Sequence, residues 1–109
     1  MHSCFKTVNY RNPKMLDAAR RAPHCMYCGR GHEGEMVGCH SNALADGHGM
    51  GIKAHDLVAF LCSDCHDVID GRGQGLDVLP LVDRYAMFLK GVYNSVLWLL
   101  QTGEMRRIA

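Results

Sequence analysis

The sequence has almost no net charge: twelve lysine and arginine residues against eleven aspartate and glutamate leave +1. It therefore lacks the broad basic field that announces a nucleic-acid partner, and any such binding must come from local patches and a bound metal. Long apolar runs are missing as well. The most apolar stretch, Leu76 to Leu100, is interrupted by Asp77, Asp83, Arg84 and Lys90 and contains Pro80 and Gly91. A membrane-spanning helix needs roughly 20 nearly uninterrupted apolar residues, so no membrane partner is expected. Met1 to Asn12 (MHSCFKTVNYRN) holds no apolar core of secretory-signal length. There is no internal repeat and no low-complexity tract.

What is present fits one small domain. Apolar residues make up 48% of the 109 positions and charged residues 21%, a balance that excludes a disordered chain. A domain of this length buries a modest fraction of its surface, so a metal staple would help it. Residues 1–12 read as an N-terminal arm and 13–109 as a single domain. Pro13 to Ala22 predicts a short helix, with Pro13 in its first turn, Met15, Leu16 and Ala19 on one face, and Pro23 as its stop. His24 to Gly34 is turn-rich. Glu35 to His40 and Leu57 to Leu61 are strand candidates, with a glycine-rich loop from Ser41 to His55 between them. Cys62 to Asp70 reads as a knuckle that turns into a helix. Asp77 can cap a long helix running to about Thr102, with Gly103 as its stop. The apolar positions of that helix include Tyr85, Phe88, Leu89, Val92, Val96, Leu99 and Leu100, at helical spacing. The fold class is thus α+β: two strands and a helix between an N-terminal helix and a long C-terminal one.

Six cysteines in a chain expected to stay in a reducing cytoplasm point to metal before disulfides. Cys25 and Cys28 form one Cys-x-x-Cys pair, Cys62 and Cys65 a second, with 33 residues between them. Each pair can chelate from a tight turn, and four thiolates complete the tetrahedron that zinc accepts, so one structural Zn²⁺ is expected. Cys62-Ser-Asp-Cys65-His66 also matches a haem-attachment pattern, but haem would leave Cys25 and Cys28 without a role. No βαβ pattern supports a thioredoxin-like redox pair. Cys4 reads as incidental and Cys39 as a small core residue rather than a ligand.

A zinc ion closed by four thiolates has no open position, so chemistry needs other residues. His66 follows Cys65 at the start of a helix, and Asp70 lies one turn on, on the same face. His40 ends the first strand and Asp56 begins the second. If the zinc pins this junction, His40, Asp56 and His66 should face one another, and imidazole with carboxylates suits Mg²⁺ or Mn²⁺. His40 could then serve as the base that activates water against a phosphodiester. His2, His24, His32 and His48 read as surface or structural histidines, and Asp67 as a solvated helix residue.

At this point the residues resemble a known family. Cys-x-x-Cys, a strand ending in His, a loop, Asp-Leu and Cys-x-x-Cys-His together look like the HNH nucleases, also called ββα-metal and related to treble-clef zinc modules. Gly49-Met-Gly-Ile-Lys53-Ala-His-Asp56-Leu and Cys62-Ser-Asp-Cys65-His66-Asp-Val-Ile-Asp70-Gly-Arg72 resemble, more closely, small phage and prophage nucleases of the YbcO type. The resemblance spans roughly Met15 to Trp98. It implies a DNA endonuclease of a bacterial host cytoplasm, with His40 as general base and His66 as a ligand of the catalytic metal. Asp56 stands where many HNH proteins have the Asn that holds the base. Cys39 stands where many have an acidic ligand, so Asp56 or Asp70 would have to replace it. Lys53 and Arg72 would contact phosphates, whereas Arg20, Arg21 and Arg30 read as solvated charges and Arg106 and Arg107 as a frayed tail. The alternative is a zinc-finger-like module that binds nucleic acid or a recombination protein without cutting. The long helix is apolar nearly all round near Leu97 to Leu100, so a cover is expected there, a second copy of the chain being one candidate.

Overall fold

A computed structural model describes residues 12–31, 36–40, 58–71 and 78–108. The elements run α1 (Pro13–Arg21), β1 (Val37–His40), β2 (Val58–Leu61), α2 (Ser63–Ile69), α3 (Leu81–Thr102) and α4 (Met105–Ile108). The fold is a small α+β domain with one two-stranded antiparallel sheet, in which Cys39 opposes Ala59 and His40 opposes Val58.

The second strand is the axis of the core. Val58, Ala59, Phe60 and Leu61 are all buried. Successive side chains of a strand leave opposite faces. Ala59 and Leu61 accordingly join Cys25, Met36, Cys39, Cys62, Phe88 and Val92. Val58 and Phe60 join Ala18, Ala19, Met26, Leu99 and Ile108 on the other side. A strand covered on both faces reads as an unbroken apolar run, which is why Val58 to Leu61 shows no polar alternation.

The outer edge of β2 is closed by hydrogen bonds. Phe60 N–H donates to Ser95 Oγ at 3.0 Å, and Phe60 C=O accepts from Met26 N–H at 2.9 Å. Ser95, fully buried on α3, donates in turn to Gly91 C=O, and Asn94 Nδ2 donates to Met26 C=O at 2.8 Å. Polar groups at positions 94 and 95 thus fasten α3 to both the strand and the first cysteine turn. Gly91 lets the helix approach. A Cβ there would lie 3.0 Å from Ala59 Cβ and 3.1 Å from Leu61 Cδ2.

Several boundaries differ from the sequence expectation. The long helix starts at Leu81 rather than after Asp77, which lies outside the described residues. Pro80 is extended (φ −55°, ψ 151°), and its carbonyl accepts the first helical N–H groups from Asp83 and Arg84. A residue that precedes proline is steered away from the helical region, so Leu79 cannot easily carry the helix through. Gly103 ends the helix at φ 78°, as its residue type suggests. The chain beyond it is not frayed. It forms α4, buries Ile108, and is tied to α1 by Arg21–Glu104 at 2.7 Å and by Asn12 Nδ2 donating to Ile108 C=O at 2.7 Å. Asn12, assigned to the arm by sequence, caps α1, its side chain accepting from Lys14 N–H.

Of the apolar positions on α3, Phe88, Val92 and Leu99 are buried, while Leu81, Val82, Tyr93 and Leu100 stay exposed. No described helix is long and apolar enough to cross a membrane.

Candidate metal centre

The first cysteine turn is built by backbone geometry. Cys25 N–H donates to Arg30 C=O, and Gly29 N–H donates back to Cys25 C=O, both at 3.0 Å. Gly29 has φ 76°, a conformation that L side chains rarely adopt, so the glycine after Cys28 is a requirement of the turn. Inside the turn, Tyr27 and Cys28 direct their N–H groups at Cys25 Sγ, at 3.4 and 3.5 Å.

The second pair is held by a helix start. Cys62 is the N-cap residue of α2, extended, with its carbonyl accepting from His66 N–H at 3.0 Å. A capping side chain would normally bond the next turn. The Cys62 side chain makes no cap bond and reaches the first turn instead, Cys28 and Cys62 Sγ lying 4.0 Å apart. The sulfur atoms of Cys25, Cys28, Cys62 and Cys65 all lie within 4.8 Å of one another. Tetrahedral zinc with bonds of about 2.3 Å needs sulfur–sulfur edges of about 3.8 Å, so the cluster fits Zn²⁺ after a small contraction.

The electrostatics suit a metal as well. Burial pushes the Cys25 thiol up, but N–H donors of Cys62, Cys28 and Tyr27 outweigh it and bring the pKa down to about 7. Burial and neighbouring sulfurs push Cys65 well above the ordinary thiol value, and burial raises Cys28 too. A site in which thiolates crowd one another is one a cation relieves. Arg30, read from sequence as a solvated charge, stands beside this cluster. Its guanidinium bonds Cys62 and Asp64, the latter at 2.9 Å, and both contacts hold it charged.

A second group of donors lies where β1 meets the same helix. Cys39 Sγ, an imidazole nitrogen of His66 and a carboxylate oxygen of Asp70 lie within 4.8 Å of one another. His66 Nδ1 and Asp70 Oδ2 are 3.5 Å apart, with side chains 20% and 11% exposed. Asp70 is therefore not a solvated helix residue, whereas Asp67 is half-exposed. Cys39 is a core residue, as its type suggests, and is fully buried. Its sulfur nonetheless belongs to this donor group, which the sequence reading did not assign to it. The adjacency of Cys39 and His40 was the available signal. His40 ends β1 with Nδ1 buried and is not one of the three converging donors. Asp56, Lys53 and Arg72 lie outside the described residues, as do His2, His32, His48 and Cys4, so the expected meeting of His40, Asp56 and His66 is not on view. Arg20 is exposed beside Asp17, and Arg21 serves the α1–α4 contact.

No family model matches the chain, and neither a curated protein nor a solved structure matches it significantly.

Proposed function

We propose that the chain is a phage-type, metal-dependent DNA endonuclease of the HNH class, with β1, β2 and α2 as its ββα-metal core. The observation that carries this reading is the arrangement at the start of α2. A hairpin runs straight into a helix that opens with Cys62-x-x-Cys65-His66, the cysteines stapling the junction and His66 meeting Asp70 beside the end of β1.

In this reading His40 removes the proton of the attacking water, and Asp56 holds the His40 ring. A divalent ion bound at His66 and Asp70 would stabilise charge developing on the phosphate and the leaving oxygen, with Mg²⁺ or Mn²⁺ as the ions suited to the nitrogen and oxygen donors. Lys53 and Arg72 place the DNA backbone without reading its sequence. The exposed apolar positions of α3 are where a second copy of the chain would sit.

The test incubates supercoiled plasmid with the purified chain and Mg²⁺ or Mn²⁺, beside His40→Ala and a reaction without added metal. Nicking or linearisation that needs the metal and falls about 10²- to 10⁴-fold in His40→Ala is expected. Cleavage that survives His40→Ala removes the proposed base. Absence of cleavage with retained DNA binding selects the non-cutting module instead.

A further inference from the structure

We propose that the groove between the first cysteine turn and α3 is a subsite for one unpaired nucleobase. His24 and Tyr27 line it from the turn, and Asn94, Leu97, Trp98 and Gln101 line it from the helix. His40, His66 and Asp70 take no part in it. Its volume is about 260 Å³. Drug-sized ligands fill pockets of about 300–1,000 Å³, so this groove has room for one ring system and not for an extended ligand.

Both walls are fixed by the fold. Phe60 braces the Trp98 ring edge-on, with centroids 5.9 Å apart and planes at 88°. Met26 ties the turn to β2 through its N–H and to α3 through its C=O, which accepts from Asn94. Two aromatic rings remain accessible on these walls, Tyr27 at 42% exposure and Trp98 only partly buried. The rim is open as well, since a Cβ at Gly29 would meet nothing within 4 Å. Accessible aromatic rings on a fixed frame are what unpaired bases stack on, and a preformed frame spares the cost of ordering it.

The polar groups of the lining choose the ligand. None of the described residues that line the groove is Asp, Glu, Lys or Arg, which favours a neutral group over a phosphate or a charged side chain. His24 Nδ1 donates to Cys25 C=O at 3.1 Å, leaving Nε2 of the neutral ring as an acceptor. Asn94 spends one amide hydrogen on Met26 C=O at 2.8 Å and keeps Oδ1. Gln101 is exposed and bonds nothing else among the described residues. An apolar side chain of another protein would cover these groups without pairing them, which costs free energy. A base offers two apolar faces to the rings and an edge of amino donors and ring or carbonyl acceptors to the amides. Asn and Gln amides match the donor–acceptor edge of adenine in this way.

The inference rests on the nuclease reading for its nucleic acid, but it is tested on binding alone. Trp98 is the single tryptophan of the chain, so its emission reports on this groove directly. The zinc-loaded full chain is titrated with a short single-stranded DNA, with the matching duplex, and with an abasic strand of the same length. Mg²⁺ and Mn²⁺ are left out so that no strand is cut. Saturable quenching of Trp98 by the single strand is expected, with little from the duplex or the abasic strand. Tyr27→Ala should weaken this binding about tenfold, within the range for one lost stacking partner. Gln101→Ala should weaken it about fivefold through one lost hydrogen bond, and its result stands if Tyr27→Ala fails to fold. Binding without quenching, equal quenching by the abasic strand or the duplex, or full affinity in Gln101→Ala overturns the proposal. A shift of Trp98 emission by N-acetylphenylalanine amide with none by DNA assigns the groove to a protein side chain and overturns it too. Quenching by the single strand with no plasmid cleavage would keep this inference and remove the nuclease reading. Cleavage with no quenching would do the reverse.

Discussion

Cys28 and Cys62 hold their sulfur atoms 4.0 Å apart although 34 positions separate them in the chain. That distance is twice the length of a disulfide, about 2.0 Å, and near the edge of a four-thiolate zinc site. Closing the cluster with metal ties the first turn to the start of α2. A bound ligand stabilises the fold by about 4 kcal/mol when present at a thousand times its Kd. Cys28→Ser is therefore expected to lose the cluster ion and unfold at much lower temperature, as is the native chain treated with a strong chelator. Thermal melts with and without added zinc check this. Melts of the native chain that ignore zinc would sink the structural-zinc assignment.

Zinc uptake should release protons and strengthen as pH rises. Cys28 and Cys65 are raised above the ordinary 9.0 of a thiol and hold their protons through the neutral range, whereas Cys25 gives its proton up at about 7. Zinc needs thiolates, so each proton expelled makes affinity tenfold stronger per pH unit. Between pH 7 and 9 these three thiols should contribute about two such factors, and below pH 7 about three. Competition with a chromophoric chelator across pH 6 to 9 measures the slope. A slope near zero contradicts the picture of protonated Cys28 and Cys65.

Arg30 should matter to zinc rather than to folding in general. Its guanidinium reaches Cys62 and would neutralise part of the charge that four thiolates bring to a bound zinc ion. Groups that bond metal ligands from behind typically change affinity by about 10- to 100-fold. Arg30→Gln is expected at the low end, about tenfold weaker, because the side chain is exposed. An unchanged zinc Kd would return Arg30 to the role of an ordinary surface charge.

Ser95→Ala leaves the Phe60 N–H buried with its acceptor removed. An abandoned buried donor costs about 1–3 kcal/mol, well above the roughly 0.5 kcal/mol that alanine gains over serine as a helix former. Urea unfolding should therefore show a clear net loss. A neutral result would mean that Phe60 N–H finds another acceptor.

Gly91→Ala sets two effects of similar size against each other. Alanine favours a helix over glycine by about 1 kcal/mol. The added methyl would meet Ala59 Cβ at 3.0 Å and Leu61 Cδ2 at 3.1 Å, and overpacking a dense core typically costs about 1–3 kcal/mol. Ala59 sits on a buried strand and has no rotamer with which to retreat. A net loss of about 1 kcal/mol is expected in the same urea assay, and a stabilised variant would show that α3 can shift away from β2.

The cysteine pairs, the stops at Pro23 and Gly103, and the unbroken apolar run at Leu57 to Leu61 are local signals. They allowed the sequence by itself to determine the α+β class, the order of elements as far as α3 and the four cysteines that come together, but not α4, which was read as a frayed tail. Pro80 was a local signal too, and the helix begins just beyond it. The tertiary structure alone decided the place of Cys39. Strand alternation says that Cys39 and His40 leave opposite faces, yet not which face meets α2. Because β2 is apolar on both sides, its pattern carries no record of which side that is. The answer came from the pairing of Cys39 with Ala59 and from a helix whose start is pinned by sulfur, placing that thiol beside His66 and Asp70.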